Sequence, residues 1–252
     1  MTVVARSKLF VKKALTPFAR KILDQREPND LDLAEIAGFT VVYRKCVPDE
    51  HILRNQLAVD HLLPAMPGYA PGPGHVVVDL GAHIGSFALL VGKTGAIVHA
   101  IEARRETFSL LRINAKMNGL DNVHAHRLAL SDRDGECQLY YSWMGNWGDS
   151  IVDVSTVGSE TVPCQTLTRF MTEQGIQHCD LLKSNCEGAE FRILLSTPPD
   201  VLARIERMIV QYHCDKESKL REDALLRHLE LSGFKTNVIN REDNRGWIIA
   251  RR

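Results

Sequence analysis

Residues 76–91 read VVVDLGAHIGSFALLV, and this stretch decides the fold. Val76, Val77 and Val78 form a continuous β-branched run of the kind that fills a parallel strand buried on both faces. Gly81 permits a tight turn, and Gly85 is expected to let the following apolar helix pack closely on the sheet. A second strand is expected over Ala96–Ile101, and it delivers Glu102 to its carboxyl end. A carboxylate there can accept hydrogen bonds from both hydroxyls of a ribose.

What the turn lacks narrows the ligand. A dinucleotide fingerprint places a second glycine two residues after the first, where the backbone approaches a pyrophosphate. His83 stands there instead. Asp79, just before the turn, adds negative charge beside a helix N-terminus that would otherwise suit phosphate. A phosphate-free, cationic nucleoside fits better, and S-adenosylmethionine is such a molecule. Its ribose would meet Glu102, its amino group Asp79 and its carboxylate the backbone amides of the turn. The competing reading is a plain strand, glycine and helix with no ligand.

Composition agrees with an enzyme-sized chain. The 252 residues suffice for a substantial core, and 31 basic residues balance 31 acidic ones, so no broad nucleic-acid footprint is expected. Six cysteines contain no Cys-x-x-Cys pair and no zinc-ligand spacing. Reduced thiols, a cytoplasmic location and no metal are therefore expected. Met1 to Lys21 carries six Lys and Arg residues with no acid until Asp24. A solvated arm or a packed helix is the simpler account, with peripheral membrane or partner contact as the alternative. The apolar runs are too short to span a bilayer, and no signal peptide is expected.

Organisation follows from punctuation. A strand is expected over Gly38–Lys45 and a helix over Pro48–Leu63, and the Pro/Gly cluster Pro64–Gly74 reads as a linker. Residues 1–74 are thus expected to form an arm, strand, helix and linker, with residues 75–252 as the cofactor-binding domain. After Ile101 the pattern gives a helix over Arg105–Asn118, a strand over Val123–Arg127 and a turn over Ala129–Asp132. Ser131 and Asp132 are candidates to meet an adenine, against simple turn chemistry. Strands are expected over Glu136–Tyr141 and Thr161–Gln165. Between them, Trp143 and Trp147 in WMGNWGDS either stack on a substrate sugar or anchor the core.

The second informative region is CDLLKSNCEGAEFRILLS, residues 179–196. A strand over Asp180–Ser184 and a helix over Glu190–Leu195 bring Lys183, Asn185, Glu187 and Gly188 to the same edge. Glu187 is either a helix cap or a functional carboxylate, and Lys183 is expected to pair with Glu187 or with substrate. A strand over Arg207–Tyr212 ends beside His213, which is structural or functional. An amphipathic helix over Ser218–Ser232 precedes two strands, Phe234–Ile239 and Gly246–Ala250, expected to form an antiparallel pair.

These motifs together, DLGAHIGSFAL, RLALSDRDG, LLKSNCEGAEFRIL and MIVQYH, resemble the FkbM family of S-adenosylmethionine-dependent methyltransferases over roughly Gly38 to the C-terminus. The resemblance implies a class I, seven-stranded Rossmann-like α/β fold, mostly parallel with an antiparallel C-terminal strand. It also implies O-methylation of a small-molecule hydroxyl, often on a sugar, glycoside or other natural product. An RNA or protein methyltransferase and a degenerate, noncatalytic cofactor-binding protein are the alternatives. The chain departs from the family at Asn185, where aspartate is usual, and at Gln211, where an acid is common. Asparagine cannot act as a carboxylate base. His213 is then the leading candidate base, Glu187 its alternative or orienter, and Lys183 a positioning group.

Overall fold

The computed structural model describes residues 31–45, 47–58, 62–142, 148–152, 156–214 and 222–252. The basic arm, Trp143 and Trp147 lie outside them. In chain order the elements are β1 (Leu31–Ile36), β2 (Phe39–Arg44), α1 (Asp49–Ala58), β3 (Val76–Leu80), α2 (Ser86–Gly92), β4 (Ile97–Ile101), α3 (Arg105–Met117) and β5 (Val123–His126). There follow β6 (Ala129–Leu130), β7 (Gly135–Ser142), β8 (Thr156–Gln165), α4 (Leu167–Glu173), β9 (Leu181–Ser184) and α5 (Glu190–Leu195). The chain closes with α6 (Pro199–Leu202), β10 (Arg207–His213), α7 (Glu222–Leu231), β11 (Lys235–Ile239) and β12 (Arg245–Arg251).

Seven strands form the main sheet in the order β11-β12-β10-β9-β3-β4-β5. The links β10-β9-β3-β4-β5 are parallel, and β12 runs antiparallel to both β10 and β11. The expected α/β architecture is therefore present. β3 is central because its valines are buried on both faces, with Val77 and Val78 fully inaccessible. From β3 the chain winds outward through β4 and β5, then crosses back to β9 on the other side. That reversal makes the carboxyl ends of β3, β4 and β9 the topological switch point, where an open α/β sheet binds its ligand.

Several expectations about local structure are corrected. The single strand expected over Gly38–Lys45 is the second arm of a hairpin, β1 pairing antiparallel with β2. Ala129 and Leu130 form no turn but a short strand, β6, parallel to β8 in a separate sheet ordered β6-β8-β7. Of the helix expected over Pro48–Leu63, the described part is Asp49–Ala58, and Leu63 belongs instead to a short 3-10 turn over Leu63–Ala65. Gly85 serves helix–helix rather than helix–sheet packing. Its φ is +99°, and a Cβ there would come within 2.7 Å of Leu111 Cδ1 on α3.

The first hairpin is built onto the domain. Leu33, Ile36 and Val41 of the hairpin, with Leu53 and Leu57 of α1, share one buried apolar cluster with Val77, Phe87, Leu89 and Leu111. Two asparagines of α3 complete the hydrogen bonding of β2. Asn114 accepts from Val42 N at 2.7 Å and donates to Val42 O and Ile84 O, while Asn118 accepts from Thr40 N at 2.9 Å and donates to Thr40 O. One helical turn apart, they read the strand edge as another strand would. No helix among the described residues is long and apolar enough to cross a membrane.

On the outer parallel strands, His99 of β4 lies with its Nδ1 3.2 Å from His126 Nε2 on β5, and both rings meet the edge of Phe170. Burial, reinforced by the neighbouring His126 and His124, lowers the His99 pKa to about 4. The unfolded chain therefore binds a proton here more readily than the folded one, so stability falls as pH drops from about 6.5 toward 4. Urea unfolding at pH 7 and pH 4.5 should differ at this site by on the order of 1–3 kcal/mol, and His99→Leu should remove that part of the slope. Equal pH slopes in wild type and variant would contradict the assignment.

Candidate cofactor and catalytic site

The turn after β3 is held by a buried ion pair. Asp79 and Lys183 stand side by side in the parallel register of β3 and β9, and Lys183 Nζ lies 2.9 Å from Asp79 Oδ1. The same ammonium donates to Gly81 O at 2.9 Å and Leu80 O at 3.3 Å. Lys183 thus pairs with Asp79, not with Glu187 as expected from local sequence. The contact lacks hydrogen-bond alignment at the carboxylate, so both Asp79 oxygens are buried without a hydrogen-bond partner. Gly81, at φ +69°, is required on steric grounds, because a Cβ would fall 2.0 Å from the carbonyl oxygen of Asn185.

Glu102 closes the next side. Its Oε2 accepts from His83 N at 3.0 Å and its Oε1 from Arg104 N at 2.9 Å, which fixes the carboxylate across the turn. Burial is the main cause of its raised pKa; the charge of Asp149 adds to it, and the His83 charge and the two backbone donors oppose it. Asp149 accepts from Ser142 N at 2.8 Å and meets Arg104 Nη1 at 2.6 Å.

His83 is gripped from the N-terminal region. Its Nε2 lies 3.3 Å from Asp49 Oδ1, and Asp49 forms a two-point pair with the fully buried Arg44 at 2.8 and 3.0 Å. Burial works against ionisation of Asp49. The His83 hydrogen bond and the Arg44 charge outweigh it and hold the carboxyl well below its usual range. Helix α1, which begins at Asp49, also bonds the motif directly through Gln56 and Ser86 Oγ.

Beyond β9, Glu187 adopts a left-handed φ of +50°, and Ser150 Oγ donates to its carbonyl at 2.6 Å. Glu187 does not cap α5, whose N-cap, Ala189, has no side-chain cap hydrogen bond; Glu190, the first residue of the helix, reaches back to accept from Cys186 N at 2.6 Å and Gly188 N at 2.8 Å and so fixes the loop that carries Glu187. His213 bridges the two acids, with Nδ1 3.3 Å from Glu190 Oε1 and Nε2 3.5 Å from Glu187 Oε2. Burial acts to lower the His213 pKa, but the Glu190 hydrogen bond and charge and the Glu187 charge reverse it, and the net shift is upward. The Glu187 pKa is raised chiefly by burial, against the opposing charge of His213.

These groups surround a cavity of about 940 Å³ of atom-free space that is partly open to solvent. Of the sequence candidates, Gly81, His83, Glu102, Lys183, Asn185 and Glu187 line it. Asp79, Gly85 and His213 are not in the lining; Asp79 contacts it through Lys183 and His213 through Glu187. Ser131 and Asp132 are not in the lining either. Ser131 donates to Asp132 Oδ1 at 2.9 Å, which is turn chemistry, and the wall at that place is Leu128, Ala129 and Leu130. Sequence reasoning missed Ile52, Gln56, Asp149 and Ser150, which also line the cavity. Asp149 and Ser150 end the same WMGNWGDS segment that had drawn attention only to its tryptophans. Ile52 and Gln56 carried one faint signal, a spacing of four on a short helix.

The methyltransferase FkbM domain matches residues 79–235. The chain belongs to the FkbM methyltransferase family. It is also 31% identical over 128 residues to the 23S rRNA (uracil(1939)-C(5))-methyltransferase RlmD of Shewanella sp. (strain MR-4), covering 50% of this chain and 28% of that protein. The same enzyme of Shewanella sp. (strain ANA-3) is 35% identical over 95 residues, 38% of this chain and 20% of that one. The chain thus spans under a third of the curated relatives it matches. The crystal structure of EvdMO1 superposes with a TM-score of 0.52 at 15% identity, over 95% of this chain and 47% of that chain, which shows the shared fold.

S-adenosylmethionine is the expected cofactor of this family, and the residues present fit it. Glu102 retains lone pairs toward the cavity for ribose hydroxyls, and Leu128, Ala129, Leu130 and Leu139 offer an apolar wall to a purine. Asn185 Oδ1 is a buried acceptor without a partner at the same edge. Glu102, Asp149 and Glu187 suit a cation. Glu102→Ala should weaken S-adenosylhomocysteine binding about 10- to 100-fold in calorimetry, the worth of one or two charge-assisted hydrogen bonds. A folded variant with wild-type affinity would remove Glu102 from the site.

Proposed function

We propose that the protein transfers the methyl group of S-adenosylmethionine to a hydroxyl of an uncharged small molecule, with sugars, glycosides and related natural products as the acceptor class. The observation that carries this reading is Glu187, a carboxylate of raised pKa on a strained backbone position, lining the same cavity as Glu102.

The cofactor, when bound, supplies an electrophilic methyl group that needs no further activation. What the chain must add is alignment, exclusion of water and a proton acceptor for the attacking hydroxyl. Glu187 is assigned the proton. Its raised pKa makes it a stronger base than an exposed glutamate, and it lines the cavity directly. His213 is assigned a positioning role, because two carboxylates hold it toward the protonated form and it touches Glu187 without lining the cavity itself. This inverts the ranking drawn from sequence, where His213 led. Asn185 would orient the acceptor or the cofactor through its unpaired oxygen, a role that needs no charge.

The match to RlmD favours a second reading, an RNA methyltransferase. The charge of the cavity argues against it. With Asp149 and Arg104 neutralising each other and Lys183 committed to Asp79, the carboxylates left to set the sign of the cavity are Glu102 and Glu187. A phosphodiester entering there would meet net negative charge, while a neutral polyol would not.

Labelled methyl transfer should appear with hydroxylated small molecules and not with bulk RNA. Glu187→Gln should lower kcat about 100-fold or more with little change in KM, the usual range for loss of a general base. Wild-type kcat should rise with pH as Glu187 ionises, through a pKa above the ordinary carboxylate range. Transfer to RNA alone, or full turnover by Glu187→Gln, would contradict the proposal.

A further inference from the structure

At the opposite, amino-terminal edge of the sheet, three side chains converge from the starts of β9 and β10. His178 Nε2 lies 3.4 Å from Asp180 Oδ1 and 3.6 Å from Glu206 Oε2, and all three donor atoms fall within 4.8 Å of one another. The frame beneath them is rigid. Cys179 N donates to Arg204 O and Glu206 N to Cys179 O, both at 2.9 Å, so the two chain segments are fixed like neighbouring strands.

We propose that His178, Asp180 and Glu206 bind a divalent cation of the zinc type, with water completing its coordination. Zinc takes nitrogen and oxygen donors at about 2.0–2.2 Å, so donors at the corners of a tetrahedron stand about 3.4 Å apart. The two distances from His178 match that spacing before any metal is present. Mixed imidazole and carboxylate donors select a borderline cation over magnesium, which prefers oxygen and water alone. The expectation of no metal rested on cysteine spacing, and none of these three residues is a cysteine.

The surroundings are arranged as ligand supports. Each carboxylate spends its outer oxygen on an orienting donor, Asp180 Oδ2 on Val76 N at 2.8 Å and Glu206 Oε1 on Arg207 Nη1 at 2.6 Å. That leaves the inner oxygen of each facing His178, the pattern by which outer donors aim metal-binding carboxylates.

The test is calorimetric titration of the full, tag-free chain with zinc chloride after removal of metal by a chelator, beside thermal unfolding with and without zinc. One saturable equivalent and a raised Tm are expected, since a ligand that binds only the folded chain stabilises it. His178→Ala changes an exposed side chain and should leave the fold intact, yet weaken that equivalent by about tenfold or more and abolish the Tm shift. Absence of a saturable equivalent, or the same affinity and shift in His178→Ala, would overturn the site and leave the triad as plain ion pairs. Because none of these residues touches the cofactor cavity, either result is independent of methyl transfer.

Discussion

A lysine reaching across from one parallel strand to an aspartate on its neighbour underlies the rest of this molecule. Asp79 and Lys183 are almost wholly inaccessible, and a charge so placed is tolerated only when paired. The pairing fixes more than its own two residues. The lysine also holds the carbonyls of Leu80 and Gly81, and so sets the path of the chain as it leaves β3. Gly81 then has the Asn185 carbonyl where a side chain would be. From that point Ala82 and His83 turn toward β4 and Glu102. The edge that meets a cofactor is thus an electrostatic construction laid over an apolar sheet, and its negative rim follows from committing the available cations inside the protein.

The same economy explains the segment ahead of β3. Arg44, Asp49 and His83 form a buried chain of contacts from the first hairpin to the cofactor turn, and α1 contributes Ile52 and Gln56 to the cavity wall. Asn114 ties that hairpin to the carbonyl of Ile84 as well. Folding of the hairpin, shape of the turn and closure of the cavity are therefore coupled through specific polar contacts. A loss at Arg44 would be felt at His83 although the two are far apart in sequence.

The main sheet was legible because its signals are local. Unbroken valines at 76–78, alternation of strand and helix periods, and the placement of Glu102 after β4 depend on neighbours in sequence. The errors share one physical character, since each turned on a partner distant along the chain. Lys183 at a strand end invites pairing with the nearby Glu187, and only the parallel register with β3 reveals Asp79. Glu187 and Glu190 both stand within a turn of the start of α5, and only the folded loop shows that Glu190 turns back onto the amides of Cys186 and Gly188 while Glu187 lines the cavity. Gly85 announced close packing without saying against what. The short β6 is a strand only because β8 pairs with it. His213 does stand at the strand end, but its two acidic neighbours, which decide its charge, come from the start of α5 and the loop before it.

The most direct measurement is a titration of isotopically labelled protein with S-adenosylhomocysteine, followed by the backbone amide signals. The account predicts saturable shifts concentrated at Gly81, His83, Glu102, Ala103 and Leu130, the edge held by the Asp79 and Lys183 pair. Shifts clustered elsewhere, or a folded protein that shows none, would contradict it.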